Sequence, residues 1–435
     1  MWHKITLNTI VFFSFSFFSF GQEILDLDAA VAISLANNYD LKLAEKTLEK
    51  SANNQSIYNS GFLPTATLSG NGNYANSNLK LTDNAANDIV INDVATKNYS
   101  GSVGINYLIF NGTRKVQYDQ FKKMYELADV QQKRQVEVTL INVYNSFFNV
   151  ARNQEQKYTL EAAYQDSKER LERVKAQFTY GKKSKLDVLN ATVDANSDSI
   201  QILNINLQLI KNKRTLNFLL GRDINYPFEV NTAVVLDEDL AYEVLYENML
   251  KGNMQLKESA FNMEVLNYDL KKSQSNYLPS LSTSVSYGLN YGDNGPTTVY
   301  PYQVSNGLSA GLSLSWNIFD GGTTKVRVQN AKIDLEAQVL NEEILKTTLE
   351  SQLANYWTEY ITQKIIIRNE ELNVVVSEQN FLKSNEQFDL GQISSFDNRQ
   401  AQLNLINTQL NLLNAKYNAK LSELQMKIMT ANLIK

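Results

Sequence analysis

Two stretches of this chain, each about 68 residues long, contain neither glycine nor proline. They span 113–180 and 323–390, and each is followed directly by a glycine, Gly181 or Gly391. A run without either helix-breaking residue can stay helical throughout, and at 1.5 Å per residue it would be on the order of 100 Å long. No compact domain needs helices of that length, so the sequence predicts an extended, helix-rich fold.

The chain also reads as a duplication, because four short landmarks occur twice and in the same order. They are Leu41-Lys42 with Leu256-Lys257, Leu63-Pro64 with Leu278-Pro279, Phe110-Asn111-Gly112 with Phe319-Asp320-Gly321, and Gly181 with Gly391. Four ordered matches at similar spacing are a strong repeat signal. We therefore predict repeat 1 (22–221), a linker (222–239) that packs on the outside, and repeat 2 (240–435).

Each repeat is predicted to contain the same series of elements. A helical pattern, 28–60 or 239–276, ends at a Leu-Pro pair, because proline biases the residue before it away from helix. A β-hairpin, a long helix and a second helix follow. Their predicted bounds are about 62–110, 113–180 and 184–220 in repeat 1, and about 277–319, 323–390 and 394–430 in repeat 2.

The N-terminus and the composition narrow the function classes. Residues 1–21 have the pattern of a secretory signal peptide, with an apolar run from Ile5 to Phe20. The chain has no cysteine, and its only histidine, His3, lies in this segment, so catalytic triads, thiol chemistry and zinc hydrolases lack their residues. A net charge of −5 offers no basic patch for nucleic acid. An enzyme is the weaker interpretation, and we expect no cofactor, no metal and no nucleic-acid partner.

The predicted hairpins alternate apolar and small polar residues, most clearly over 281–291 and 308–317. Alternation alone also fits a half-buried sheet in a soluble domain. Three observations favour a membrane: the export signal, aromatic residues near the strand ends, and strands that reach the roughly 9–11 residues of a tilted membrane strand. Four strands cannot close a barrel, since the smallest closed barrels have about eight, so several chains must share one.

The second helix of each repeat carries an apolar seam with steps of three and four residues, which is coiled-coil spacing. In repeat 2 the seam consists of Leu403, Ile406, Leu410, Leu413, Tyr417, Leu421, Leu424 and Ile428. In repeat 1 it consists of Ile200, Leu203, Leu207 and Ile210. The helices are therefore predicted to pack as coiled-coil hairpins.

A Ser-x-x-Asp sequence follows each glycine, with Ser184 before Asp187 and Ser394 before Asp397. Serine at the first position and an acidic residue three positions later form the capping box of a new helix. Each glycine with its Ser-x-x-Asp sequence therefore predicts the turn of a helical hairpin.

Together these residues resemble TolC-type outer-membrane efflux proteins over nearly all the mature chain. The Leu-Pro pairs, the strand ends at Phe110 and Phe319, and the glycine turns with an aspartate six residues on carry the resemblance. It implies an α+β membrane protein: a homotrimer that closes a twelve-stranded outer-membrane β-barrel, four strands per chain, continued by a long periplasmic α-helical barrel of coiled-coil hairpins. The implied function is the outer-membrane exit duct of a tripartite efflux system. A periplasmic adaptor (membrane fusion protein) and an inner-membrane RND or ABC transporter would open this passive channel.

The resemblance also implies that the two turns form the periplasmic tip, with the gate. Asp187, Asp397 and, one to two turns further in, Asp194 are the expected constriction residues, since carboxylates repeated about a threefold axis form a cation-attracting ring. The expected adaptor-docking surface consists of Gly181, Lys182, Lys183, Ser184, Leu186, Gly391, Ile393, Ser394 and Phe396. In the alternative interpretation the turn aspartates only cap helices, the apolar residues only pack the turn, and Asp194 and Asp198 are only solvated.

The sequence departs from the best-known members of the family in the tip. The second acidic position of their ring is Asn190 in one repeat and Gln400 in the other. The arginine that tethers their gate is Ile393 here, and a nearby tyrosine is Phe388. Their aspartate latch therefore does not transfer to this chain.

Two other functions stay open on the sequence alone. A type I protein secretion exit channel would have the same sequence features. A periplasmic coiled-coil structural protein without a pore would be extracted without detergent, whereas a membrane barrel needs detergent.

Overall fold

A computed structural model describes residues 23–82, 84–86, 88–295 and 298–430. The predicted signal peptide, 1–21, lies outside these described residues. The chain forms two compact units, which we call the helical unit and the sheet unit. The helical unit comprises the described residues within Met1–Leu41, Val136–Leu245 and Leu353–Lys435, and the sheet unit comprises those within Lys42–Gln135 and Tyr246–Gln352.

Two helices, two strands and two long helices follow one another in the same order in both repeats. In chain order the elements are β1 (Glu23–Leu25), α1 (Leu27–Asn37), α2 (Tyr39–Asn54), a short 3-10 helix (Ile57–Asn59), β2 (Thr65–Thr82), β3 (Asp88–Asn111), α3 (Gly112–Thr179), α4 (Lys185–Leu219), β4 (Phe228–Val230), α5 (Tyr242–Gly252), α6 (Met254–Ser275), β5 (Ser280–Asp293), β6 (Tyr302–Ser315), α7 (Thr323–Asp389) and α8 (Ser395–Met429).

The sheet unit contains a four-stranded antiparallel sheet with the strand order β2-β3-β5-β6. Its centre pairs the two repeats, since Val103 on β3 lies opposite Tyr287 on β5. One face carries such apolar side chains, and the other carries serine, threonine, asparagine and glycine. Val103 and Tyr287 are 55% and 54% exposed in one chain. The edge strands β2 and β6 have no further strand partner among the described residues.

Two pairs of long helices account for most of the chain. α3 has 68 residues and α7 has 67, and each is followed by a glycine turn and a helix of 35 residues, α4 or α8. Apart from Gly112 at the start of α3, these helices contain neither glycine nor proline, so nothing in them interrupts the helical hydrogen bonds. No helix within the described residues has a stretch long and apolar enough to cross a membrane.

The helical pattern that opens each repeat is broken in two, at Asn38 between α1 and α2 and at Asn253 between α5 and α6. Asn38 Oδ1 accepts the backbone N–H groups of Asp40 at 2.9 Å and Leu41 at 3.2 Å. Its Nδ2 donates to Leu219 O at 2.8 Å. Asn253 caps α6 in the same way. An asparagine that satisfies the first N–H groups of the next helix favours a new N-terminus over continuation of the old helix.

The linker between the repeats does not pack only on the outside, as the sequence predicted, because part of it contributes to the core of the helical unit. β4 pairs in parallel with β1, and its residues Phe228 and Val230 are 0% and 3% exposed. The Gln154 side chain on α3 holds this strand, because it accepts from Val230 N and donates to Val230 O, both at 3.3 Å. Phe147 and Leu216 belong to the same buried apolar cluster. The core therefore includes residues of the linker together with residues of repeat 1.

Two glycines in the helical unit provide a matched test of this packing. A Cβ on Gly221, whose φ is +65°, would lie 2.5 Å from the backbone oxygen of Asn37, whereas Gly181, with φ +70°, has open space around it. We expect Gly181→Ala to cost about 1–2 kcal/mol, because alanine disfavours a positive φ. Gly221→Ala should cost about 1–3 kcal/mol more, because the added methyl forces backbone apart. Thermal unfolding followed by circular dichroism measures the difference, and equal melting temperatures for the two variants would contradict this packing.

Candidate functional site

The two hairpin turns of the helical unit are built alike. α3 ends in a Schellman motif, in which Gly181 N donates to Phe178 O at 2.9 Å and Lys182 N donates to Gln177 O at 2.8 Å. The turn at Gly391 makes the same two bonds, at 3.0 and 2.9 Å. The two glycines have φ values of +70° and +74°, the left-handed conformation that this motif needs and that glycine adopts without strain.

A reciprocal capping box begins the helix after each turn. Asp187 N donates to Ser184 Oγ at 3.2 Å, and Ser184 N donates to Asp187 Oδ2 at 2.9 Å. Ser394 and Asp397 repeat these bonds at 3.1 and 3.2 Å. In both turns the serine hydroxyl also donates to the carboxylate, at 2.7 Å. Both turn aspartates therefore cap helices, as their spacing predicts.

These hydrogen bonds lower the pKa of both turn carboxyls. For Asp187 and for Asp397 the serine hydroxyl is the larger cause and the serine N–H the next. Since an unperturbed aspartate has a pKa of about 3.9, both side chains are ionised at neutral pH. The stability that the two caps contribute is present above that value and is lost as the pH falls through the lowered pKa of the folded state.

Most of the predicted docking surface is exposed. Leu186 and Phe396 are 64% and 75% exposed. Gly181, Lys182, Ser184, Gly391 and Ser394 are exposed as well, and Lys183 is half-buried. Ile393 differs from the expectation, because it is half-buried against an apolar cluster that includes Phe388 and Val188. Its side chain helps to pack the turn, as the alternative interpretation proposed.

That apolar cluster joins the two hairpins near their turns. Phe388 on α7 is fully buried and packs with Val174 on α3 and with Val188 and Ala191 on α4. The Lys183 ammonium lies 5.0 Å from the centre of the Phe388 ring, a distance at which a cation attracts the face of an aromatic ring. Phe388 thus anchors the second hairpin on the first.

A polar contact between the hairpins lies in the same unit, and we call it the Arg–Asp cluster. Its members are Ser167 and Arg170 on α3, Asp194 and Asp198 on α4, and Arg399 and Gln402 on α8. All of these side chains except that of Asp194 are buried. The two arginines balance the two aspartates, which matters because an unpaired buried charge is costly.

Arg399 and Asp198 form a bidentate ion pair at the centre of the cluster. Arg399 Nη1 lies 2.7 Å from Asp198 Oδ2, and Nη2 lies 2.6 Å from Oδ1. Ser167 Oγ donates to the same Oδ2 atom at 2.6 Å. Two parallel N–H···O bonds fix the relative orientation of the side chains as well as neutralising their charge. The pair therefore connects α8 to α4.

Gln402 extends the cluster to α3. Its Oε1 accepts from Arg170 Nη1 at 3.1 Å and from Arg399 Nη1 at 2.9 Å, and its Nε2 donates to Ala163 O at 2.8 Å. Arg170 Nη2 binds Asp194 Oδ2 at 3.1 Å. Burial lowers the pKa of Arg170 to about 10, and Asp194 opposes this shift. The guanidinium therefore stays charged at neutral pH.

The cluster gives Asp194 and Asp198 roles that the sequence did not predict. Asp194, an expected constriction residue, pairs with Arg170, and Asp198, which the alternative interpretation left solvated, is 4% exposed. One signal of the cluster was available in the sequence. Arg399 lies four residues before Leu403 and so continues the apolar seam of α8 by one step. A charge at a seam position indicates an opposite charge on a facing helix.

A family profile described as "Outer membrane efflux protein" matches residues 30–222 and 245–432. These ranges include both hairpin turns and all four strands of the four-stranded sheet. The chain belongs to the outer membrane efflux protein family. The family, the fold class of long helical hairpins with a four-stranded sheet in two repeats, and the outer-membrane localisation that the sequence predicted are confirmed.

This outer membrane efflux protein is similar to named relatives over most of its length. Outer membrane protein TolC of Vibrio cholerae is 24% identical over 339 residues, which are 75% of each chain. The probable efflux pump outer membrane protein TtgC of Pseudomonas putida is 21% identical over 73% of this chain and 64% of its own. The crystal structure of the Campylobacter jejuni CmeC outer membrane channel matches with a TM-score of 0.77 and 19% identity, over 93% of this chain and 85% of CmeC.

Asp198→Asn tests the Arg–Asp cluster of this efflux protein. The substitution removes the carboxylate that the buried Arg399 binds with two hydrogen bonds and leaves it only Asp194, at 3.9 Å, so we expect a loss of about 3–5 kcal/mol in stability. The matched control is Glu172→Gln, which breaks an exposed ion pair with Lys175 on α3 and should cost at most about 1 kcal/mol. Thermal unfolding of the detergent-extracted protein compares the two, and similar melting temperatures would contradict the role of the cluster.

Proposed function

We propose that this protein is the outer-membrane exit duct of a tripartite efflux system, a passive channel opened by a periplasmic adaptor and an inner-membrane pump. The observation that carries the proposal is the four-stranded sheet. Its exposed apolar face, its small polar face and its two unpaired edges fit a wall between lipid and water. The relatives' names support this use, since CmeC is an outer membrane channel and TtgC a probable efflux pump protein.

Three copies of the chain would complete the wall. Four strands are too few for a closed barrel, and β2 of one copy pairing with β6 of the next would remove both free edges. The same assembly would cover two apolar seams of the helical unit that are exposed in one chain. They are Ile200, Leu203, Leu207 and Ile210 on α4, and Ile365, Leu372, Val375 and Leu382 on α7. We therefore propose a homotrimer whose apolar sheet face contacts outer-membrane lipid.

The two turns are the proposed gate. Threefold repetition of Asp187 and Asp397 would surround the axis with ionised carboxylates, because both have a lowered pKa. A carboxylate can accept the capping bonds and still attract cations with its charge. Asp194 is the weaker member of the proposed gate, because Arg170 of the same chain neutralises it.

The exposed surface of the turns is the proposed adaptor site. Leu186 and Phe396 supply large apolar side chains at the tip of a hairpin, where they gain nothing from exposure to water. Lys182 adds a positive charge beside them. An adaptor with an apolar surface and an acidic rim would complement this site, and the adaptor would in turn connect the duct to an RND or ABC transporter.

Asp187→Asn and Asp397→Asn test the gate, because asparagine keeps an acceptor oxygen for the cap but removes the charge. We expect a trivalent cation to block the wild-type channel in planar bilayers. The doubly substituted channel should need at least about tenfold more cation for half-block, because the attraction between the ring and the cation is weaker. Absence of any wild-type channel would contradict the duct. A cation block that is unchanged in the double variant would contradict the gate alone.

Leu186→Ala combined with Phe396→Ala tests the adaptor site. Cells whose only copy of the protein carries both changes should accumulate ethidium like cells without the protein, because truncation removes the apolar contact. Val235→Ala is the control, since Val235 is 77% exposed and belongs to the segment between the repeats. Wild-type efflux by the double variant, at wild-type abundance in the outer membrane, would exclude these two residues from docking.

A further inference from the structure

β2 and β3 continue past the end of the four-stranded sheet. β3 pairs with β5 only as far as Lys97, which lies opposite Asp293. Beyond this level β2 and β3 pair only with each other, over 75–82 and 88–96. We call this two-stranded extension the ribbon. It lies at the end of the sheet remote from Asn111, where β3 ends and α3 follows.

A β-bulge in the ribbon sets which side chains share a face. The register shifts between Ser77 and Leu79, with only Asn78 between them on β2. On β3 the extra residue is accommodated near Asp93, whose φ is +58° and whose N–H donates to Asn78 Oδ1 at 2.9 Å. Because β2 keeps its alternation through the bulge, Leu79 lies on the same face as Ser77, which is the small polar face of the sheet.

This face becomes aliphatic in the ribbon. Leu79 pairs with Ile91 and Leu81 pairs with Ile89, so four branched aliphatic side chains lie together on it. Leu81 and Ile89 are 45% and 56% exposed in one chain. In the four-stranded part of the sheet the same face carries serine, threonine, asparagine, glutamine and glycine, with Leu108 as its one large apolar side chain. The change in polarity coincides with the bulge.

The opposite face of the ribbon changes in the other direction. Lys80 and Asp88 form an ion pair at 2.7 Å, and the Thr82 hydroxyl donates to Asp88 at 2.7 Å. In the four-stranded part of the sheet this face is the apolar one, which suits lipid. Beyond the bulge it is polar apart from Val90. Beyond the bulge the ribbon therefore offers lipid only the Val90 side chain as a large apolar surface on its outer side.

One residue of the aliphatic face is already covered by the chain itself. Val94 pairs with Ser77 and is 2% exposed. Gly295, just after β5, lies against it, since a Cβ on Gly295 would be 3.2 Å from Val94 Cγ1 and 3.1 Å from Ala95 O. The backbone at Gly295 thus lies over this face of the sheet, and no described part of the chain covers Leu81 and Ile89 in the same way.

We propose that the aliphatic face of the ribbon packs against the same face of the two other copies and forms an apolar collar at the outer mouth of the trimer. The proposal rests on the proposed trimeric barrel, in which the small polar face lines the interior and the ribbon face above it points to the threefold axis. Only water and the other copies lie there, because lipid is on the opposite side. Contact between the three aliphatic faces would remove their apolar surface from water.

Single cysteines test the collar, because the chain has no cysteine of its own. Ile89→Cys and Leu81→Cys place a thiol on the aliphatic face, and Val90→Cys is the matched control on the opposite face of the same strand, where Val90 is 61% exposed. Oxidation with copper phenanthroline in outer-membrane vesicles is followed by non-reducing electrophoresis. We expect disulfide-linked pairs of chains from Ile89→Cys and Leu81→Cys at a yield at least about fivefold above that of Val90→Cys, since disulfides need Cα atoms within about 7 Å.

Native electrophoresis of the same vesicles after detergent extraction separates the two proposals. If both aliphatic-face variants migrate as trimers but cross-link no better than Val90→Cys, the collar is wrong and the proposed duct is unaffected. Wild-type protein that does not migrate as a trimer would overturn the barrel on which the collar depends. If one of the two aliphatic-face variants fails to assemble, the other decides the result.

Discussion

The interaction on which this structure depends is the strand pairing that one chain cannot complete. β2 and β6 each present a row of backbone N–H and C=O groups without a partner strand among the described residues. Such an edge is a liability in water and is not tolerated in lipid, where every backbone polar group must be satisfied within the protein. The exposed apolar face, with Val103 and Tyr287 at its centre, adds the same requirement. Assembly of several chains into a closed wall satisfies both requirements at once, and in our account folding of the sheet and assembly are therefore one process.

In the helical unit, each of the two hairpins has the same kind of turn, and buried contacts join the two hairpins to each other. The two turns use the same Schellman motif and the same capping box, so a trimer would present six turns of the same backbone design, three from each repeat. Within one chain, Phe388 and the Arg399–Asp198 ion pair hold the second hairpin against the first. Movement of one hairpin relative to the other must break that buried pair, which is strongly unfavourable.

The features that the sequence predicted well are local. The ends of the long helices at Gly181 and Gly391 could be predicted because a left-handed C-cap depends only on the residue itself and its immediate neighbours. The capping box of Ser184 and Asp187 could be predicted for the same reason, since it lies within four residues of the chain. The alternation of the strands reveals which residues share a face. The breaks at Asn38 and Asn253 were missed because an asparagine in a helical pattern does not show what it will cap. The contact of the Arg–Asp cluster that joins the hairpins was missed because Asp198 and Arg399 are 201 residues apart, and the seam position of Arg399 does not show which carboxylate faces it.

The central claim is that this chain completes its sheet only with copies of itself. Native mass spectrometry of the wild-type protein, released from detergent micelles, tests this claim most directly. The account predicts that the dominant ion, at the lowest collision energy that strips off the micelle, contains three chains. Little or no folded monomer should be present at that energy. A dominant folded monomer, or an assembly whose chain number cannot close the sheet into one barrel, would contradict it.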